Sequence, residues 1–112
     1  MSRIAVIGGG PAGYEAALVA AQLDADVTVI EADGVGGACV RHDCVPSKTF
    51  IASSDVVTGF RDTDTFGVRL NGGPPAVVVD AATVHGRVRR LAEAQSRDIH
   101  AKLLQAGVTV VA

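Results

Sequence analysis

Residues 4–31 read IAVIGGGPAGYEAALVAAQLDADVTVIE, and the fold follows from this stretch. Ile4–Ile7 is a short apolar run stopped by glycines. It reads as a buried strand, apolar on both faces as strands of parallel sheets are. Pro11 suits the first turn of a helix, where its missing N–H costs little. Ala12–Leu23 is rich in Ala and Leu and reads as that helix, with side chains small enough to pack close to a sheet. Val27–Ile30 is β-branched throughout and reads as a second strand. Strand, glycine-rich turn, helix and strand within about 30 residues make a βαβ unit, and its crossover should be right-handed.

The turn carries the pattern Gly8-x-Gly10-x-x-Gly13. In this context the first glycine permits a tight turn, the second lets the backbone approach a pyrophosphate, and the third lets the helix lie close on the strand. The helix N-terminus offers free N–H groups and a partial positive charge to phosphates. Glu31 ends the second strand, 18 residues after Gly13, where a carboxylate accepts hydrogen bonds from a ribose diol. Together these predict dinucleotide binding. They do not separate FAD from NAD, but an acidic residue at position 31 disfavours the 2′-phosphate of NADP at this site.

With 112 residues the chain is one small domain or a piece of a larger one. Its 48% hydrophobic and 20% charged residues exclude wholesale disorder. A formal charge of -2 argues against a nucleic-acid partner, because phosphate neutralisation needs clustered Lys and Arg. The run Arg87, Arg89, Arg90, Arg97 and Lys102 shares its helix with Glu93 and Asp98 and reads as a solvated face or subunit contact. His85 and His100 read as surface residues of the same helix. No run of about 18 uncharged apolar residues is present, so no membrane span is expected. The N-terminus does not read as a signal peptide, since glycines and Glu15 interrupt its apolar run. Two cysteines are too few for a disulfide framework, and a cytoplasmic location is expected.

Downstream of Glu31, Asp33–Gly37 reads as a second glycine-rich loop. A helix is predicted from about Ala38 to Gly59, irregular or kinked in its first half by Pro46. Phe66–Leu70 is a candidate short strand, and Asn71-Gly72-Gly73-Pro74-Pro75 is loop punctuation. Asp80 is a candidate N-cap for a long helix to about Ala106, with Gly107 at its C′ position. Val84, Val88, Leu91, Ile99, Leu103 and Ala106 fall within an arc of about 120° on its wheel, interrupted by Gln95 and Lys102. Val108–Val111 is a third strand. The expected fold is therefore α/β: a Rossmann-like doubly wound parallel sheet, of which this is the N-terminal βαβαβ half. The spatial order 3-2-1 leaves the apolar first strand with an unpaired edge, which leads us to expect that the chain is part of a longer protein.

Cys39 and Cys44 are spaced five apart. On an ideal helix, at ~100° per residue, such a pair lies about 140° apart, so the sulfurs would not face each other. A disulfide between them needs a distorted turn, for which Pro46 is a plausible source. A strained, reversible bond suits a redox-active pair, and a helix N-terminus lowers a thiol pKa. Two free structural cysteines are the plainer alternative. A metal site with His42 as third ligand is disfavoured, because no further Cys or His is offered. Lys48, taken alone, is a solvated surface lysine.

The segment Gly36-Gly37-Ala38-Cys39-Val40-Arg41-His42-Asp43-Cys44-Val45-Pro46-Ser47-Lys48 resembles the redox signature GGTCxNxGCxPSK of the flavoprotein disulfide reductases. These are the class I pyridine nucleotide-disulfide oxidoreductases: dihydrolipoyl dehydrogenase, glutathione reductase, mercuric reductase and relatives. The opening IAVIGGGPAGYEAALVAAQL with Glu31 is similar to their FAD-binding start, so the resemblance covers nearly the whole chain. It implies that residues 1–112 are the N-terminal part of an FAD-binding domain, with NAD(P)H-binding and dimerisation domains lying outside the chain.

The same resemblance implies site residues. Gly8, Gly10, Pro11, Ala12, Gly13, Glu31, Ala32, Gly36, Gly37, Ala38, Cys39, Cys44 and Lys48 are expected to hold FAD. Cys44 is then the thiol nearest the flavin, Cys39 the one that exchanges with substrate, and Lys48 a neighbour of the flavin. The implied cycle passes hydride from NAD(P)H to flavin, electrons to a Cys39–Cys44 disulfide, and then exchanges dithiol for disulfide with a lipoamide-like substrate. A homodimer is implied for the full-length protein, while the isolated chain is expected to be inactive and to retain FAD weakly.

Three positions depart from the signature: Ala38 for Thr, Arg41 for Asn and Asp43 for Gly. A carboxylate at position 43 should raise the pKa of the neighbouring thiol. The stretches DCVPSKTFIAS and AEAQSRDI also resemble an NAD(P)H quinone reductase subgroup, some members of which lack the first cysteine. Disulfide oxidoreductase, quinone reductase and a non-catalytic dinucleotide-binding module all remain open at this point.

Overall fold

A computed structural model of the protein describes residues 1–73 and 75–112. Its single sheet has three parallel strands, β1 (Arg3–Ile7), β2 (Asp26–Ile30) and β3 (Thr109–Val111), in the order β1-β2-β3. Arg3 stands opposite Asp26, and Thr28 opposite Thr109. This is the expected 3-2-1 order. β2, paired on both sides, carries the buried Val27 and Val29. β1 differs from its expectation. It has one neighbour, and Ile7 is 86% exposed, while Val6 packs half-buried against the core.

Helix α1 (Pro11–Gln22) connects the first two strands and lays the fully buried Ala17 on the sheet. Pro11 occupies its first turn as expected. Beyond the last turn Asp24 takes φ 60°, a conformation that Asp tolerates better than most residues, and the chain enters β2.

The helix predicted over Ala38–Gly59 is two helices, α2 (Gly37–Arg41) and α3 (Cys44–Arg61). The break falls at His42-Asp43, ahead of Pro46. Both of those amides donate to the Ala38 carbonyl at 2.9 Å, which ends α2 in a tight turn. Pro46 then sits in the first turn of α3, where no helical acceptor would have awaited its amide, so it bends nothing. Ser47 makes the first bond of the new helix, to the Asp43 carbonyl at 2.8 Å.

Phe66–Leu70 is not a strand. Thr63–Phe66 forms a 3-10 turn closed by Gly67 at φ 72°, and Val68 donates back to the Thr63 carbonyl, so the chain is turned before it can extend. Pro74 of the predicted loop lies outside the described residues. Helix α4 (Ala81–Gln105) begins where expected: the Asp80 carboxylate accepts from the amides of Ala82 at 3.0 Å and Thr83 at 3.2 Å. Gly107, at φ 80°, ends it as expected.

The buried face of α4 is Val88, Ala92, Ser96, Ile99 and Leu103. It shares three residues with the predicted arc but replaces Leu91 and Ala106 by Ala92 and Ser96. Small residues let α4 approach the loop after β2, where Ser96 donates its hydroxyl to the Val35 carbonyl at 2.5 Å. Leu91 is turned outward instead. Arg87 is exposed, as expected of the arginine run, and its Nη1 also donates to the Thr49 carbonyl at 3.3 Å, tying α4 to α3. The core is closed by Ala17, Val27, Val29, Val35, Val40, Ile99, Leu103 and Val108, which join sheet, α1, α4 and the second glycine-rich loop.

Candidate dinucleotide and thiol site

The two glycine-rich loops lie against each other at the C-terminal ends of β1 and β2. Gly8 takes φ 95° and donates to the Ile30 carbonyl at 2.8 Å, locking the first loop to β2. At Gly13 an added Cβ would stand 1.8 Å from the Gly8 carbonyl oxygen, so only glycine lets α1 cross β1 this closely. Gly10 is different. Its φ of -69° suits any residue, and a Cβ there would meet nothing within 4 Å. No internal packing demands glycine at position 10; open space lies in front of it. The amides of Ala12 and Gly13, in the first turn of α1, have no hydrogen-bond acceptor among the described residues.

Glu31 closes one side of this space. One carboxylate oxygen accepts from the Gly9 amide at 2.6 Å and the other from the Asp33 amide at 2.8 Å. The carboxylate is thereby held at the end of β2 in a fixed orientation. Ala32 follows, exposed, on the same rim.

The second loop is stitched to the first. The Gly36 amide donates to the Gly9 carbonyl at 2.8 Å, and a Cβ on Gly37 would lie 2.8 Å from the Gly10 Cα. Gly36 and Gly37 both have positive φ, 105° and 58°, and they deliver the chain directly into α2 with Ala38 and Cys39 in its first turn. The break between α2 and α3 then does what the ideal-helix geometry could not. It brings Cys39 and Cys44, both half-buried free thiols, to the same locality.

Their proximity shows in Cys39, whose thiol is pushed above its ordinary pKa. The largest cause is side-chain hydrogen bonding with Cys44, followed by burial and the charge of Cys44; the Asp43 carboxylate adds to it and the Lys48 ammonium opposes it. For Cys39, proximity to a helix N-terminus does not produce the lowered pKa expected from sequence. Lys48 is exposed, one turn along α3 from Cys44. His42 pairs with Asp33, Nε2 to Oδ2 2.8 Å.

A protein-family comparison matches residues 2–111 to the pyridine nucleotide-disulphide oxidoreductases. The chain belongs to that family. Among curated members of the family, an NAD(P)H dehydrogenase (quinone) of Mycobacterium tuberculosis is 50% identical over 115 residues, spanning all of this chain and 23% of its own length. Dihydrolipoyl dehydrogenase 2 of Haloarcula marismortui is 40% identical over 112 residues, 98% of this chain and 22% of its own. The crystal structure of LpdA from M. tuberculosis superposes with a TM-score of 0.87 at 50% identity, covering this chain fully and 23% of LpdA. The chain thus spans about a quarter of the length of the family members it matches.

The residues present fit a family flavin dinucleotide. Open space before Gly10 and two unpaired first-turn amides are what a pyrophosphate would need, and the Glu31 carboxylate is held beside the same turn. Three polar residues escaped the sequence reading as parts of this region: Asp33, Ser96 and Arg87. Their contacts span 9, 61 and 38 residues, so no local pattern signals the last two.

Proposed function

We propose that this chain is the N-terminal quarter of an FAD-dependent, NAD(P)H-linked oxidoreductase in which Cys39 and Cys44 form a redox-active dithiol–disulfide pair of the dihydrolipoyl dehydrogenase type. The observation that carries the reading is the juxtaposition of the two thiols on α2 and α3, directly behind a loop packed on Gly10. Gly8, Gly10, Pro11, Ala12, Gly13, Glu31, Ala32, Gly36, Gly37 and Ala38 would hold FAD, with Cys39, Cys44 and Lys48 at its reactive end. Bound there, FAD supplies two-electron transfer between a nicotinamide and the thiols.

The chain's own residues have separable tasks. The α1 N-terminus neutralises phosphate charge, and Glu31 orients a ribose. Cys39, held protonated by its neighbour, attacks a lipoamide-like disulfide only once its proton has left. Lys48 favours that loss and Asp43 resists it. The longer protein is proposed to act as a homodimer in the cytoplasm. Exposed apolar side chains along α3, including Phe50, Val56 and Phe60, support further burial in an assembly. No helix among the described residues is long and apolar enough to cross a membrane.

A second reading, quinone reduction, is favoured by the 50% identity to an NAD(P)H dehydrogenase (quinone) and by the raised thiol of Cys39. Cys39→Ser in the full-length protein separates the two. Loss of NADH-dependent lipoamide turnover, together with quinone turnover, supports the disulfide reading. Quinone turnover that survives unchanged while no lipoamide activity exists in either protein supports the quinone reading.

A further inference from the structure

We propose that Asp33 is a positioning residue for the Cys39–Cys44 pair, acting through its contact with His42 in the turn that joins α2 to α3. The proposal rests on the reading of these cysteines as a redox pair.

The turn is short and lightly held. His42 and Asp43 share a single acceptor, the Ala38 carbonyl, which belongs to α2 itself. The Asp43 carbonyl in turn accepts from the amide and hydroxyl of Ser47, both on α3. The loop after β2 reaches the turn through the side-chain contact between Asp33 Oδ2 and His42 Nε2, 2.8 Å. Asp33 is well placed to be an anchor. Its own amide donates to Glu31 at 2.8 Å, and three residues on, Gly36 is bonded to Gly9. A continuous chain of contacts thus runs from the first glycine-rich loop through Glu31 and Asp33 to the hinge between the two cysteines.

Arg41 completes the arrangement. Its Nε lies 3.8 Å from the same Asp33 oxygen, and a Cβ on Gly34 would stand 2.8 Å from its Nη1. The guanidinium therefore covers Gly34 and shares the Asp33 charge. Across the cleft, of about 290 Å³, α4 presents Arg89 and Glu93 to Arg41 and His42. Asp33 is thus the carboxylate bonded to His42, with Glu93 as the other acid facing it and Arg41 and Arg89 as the facing cations. Hydrogen bonding from His42, and then the charge of Arg41, hold the Asp33 carboxyl below the usual carboxylate range. It stays anionic across the neutral range, an acceptor for His42.

Two thiols held close lose less freedom on joining, so fixing the hinge favours the disulfide. Weakening the clasp should shift the exchange in which Cys39–SH and Cys44–SH, with one glutathione disulfide, give one Cys39–Cys44 bond and two glutathione thiols. Two electrons and two protons pass from the cysteines to glutathione, and the equation balances.

The test is that equilibrium in the full-length, cofactor-loaded protein at pH 7.0. Acid quenching, alkylation and mass spectrometry read the bridged fraction. Asp33→Asn and His42→Gln should each lower the constant about threefold, which is about 14 mV for a two-electron couple. Asp33→Glu should recover most of the loss. His42 is exposed, so its variant keeps the test open should Asp33→Asn fold poorly. Constants that stay unchanged or rise overturn the clasp, provided the wild type forms the bridge. A wild type that forms no bridge at any glutathione ratio overturns both the clasp and the redox-pair reading.

Discussion

Gly37 rests on Gly10, so closely that a Cβ on Gly37 would lie 2.8 Å from the Gly10 Cα. Two motifs separated by 27 residues thereby become one surface: the first glycine-rich turn and the entrance to the cysteine helices. Gly37→Ala has to push these loops apart and also adopt φ 58°, which alanine resists. We expect it to lower both thermal stability and FAD content, the two losses appearing together in melting and absorbance measurements.

Gly10 and Gly13 predict opposite outcomes for the same added methyl group. Gly13→Ala meets the Gly8 carbonyl and should destabilise by about 3 kcal/mol, the upper end for overpacking, because backbone must move. Gly10→Ala meets nothing and should leave the melting temperature of the apoprotein within about 2 °C, as surface substitutions usually do. Its loss should instead be in FAD retention. A Gly10→Ala protein that keeps full FAD affinity would show that the space before Gly10 is not a pyrophosphate site.

The raised pKa of Cys39 predicts slow alkylation of this thiol in the reduced protein at pH 8. Cys44→Ala removes the largest cause and should make Cys39 react faster. Asp43→Asn should act in the same direction more weakly, and Lys48→Met in the opposite one. Peptide mapping after timed iodoacetamide exposure reads all three.

Much of this was legible in residues 4–31, where strand, turn and helix signals are local and mutually consistent. The order of the sheet followed from its three strands, and the α4 cap from Asp80. What failed was geometry set by distant partners. Ala92 and Ser96 face inward because the loop at Val35 needs a close neighbour, which no helical wheel records. The break at His42-Asp43 was misassigned to Pro46 because proline is the visible helix breaker, whereas the turn is made by two amides sharing one carbonyl. Asp33 sat in plain view in the loop, but its partner lies across a turn the sequence does not announce.

Asp80 predicts an acid-dependent contribution to stability. Hydrogen bonds from the Thr83 side chain, and then from the Thr83 and Ala82 amides, lower its pKa in the folded protein. A group with a lowered folded pKa stabilises above its unfolded value of ~3.9, and that stabilisation is lost as pH falls through the folded value. Asp80→Ala should therefore melt about 2–6 °C lower than wild type at pH 6. The gap should narrow below about pH 4. A gap that stays constant from pH 6 to pH 3 would assign the capping to something other than the ionised carboxylate.

If Cys39 and Cys44 act as one redox unit, electrons from a nicotinamide must reach both. Differential alkylation of the full-length holoprotein, before and after anaerobic addition of NADH, tests it most directly. Both cysteines should be blocked together before NADH, and both should become reactive after it. Two cysteines alkylated equally before and after NADH would contradict it.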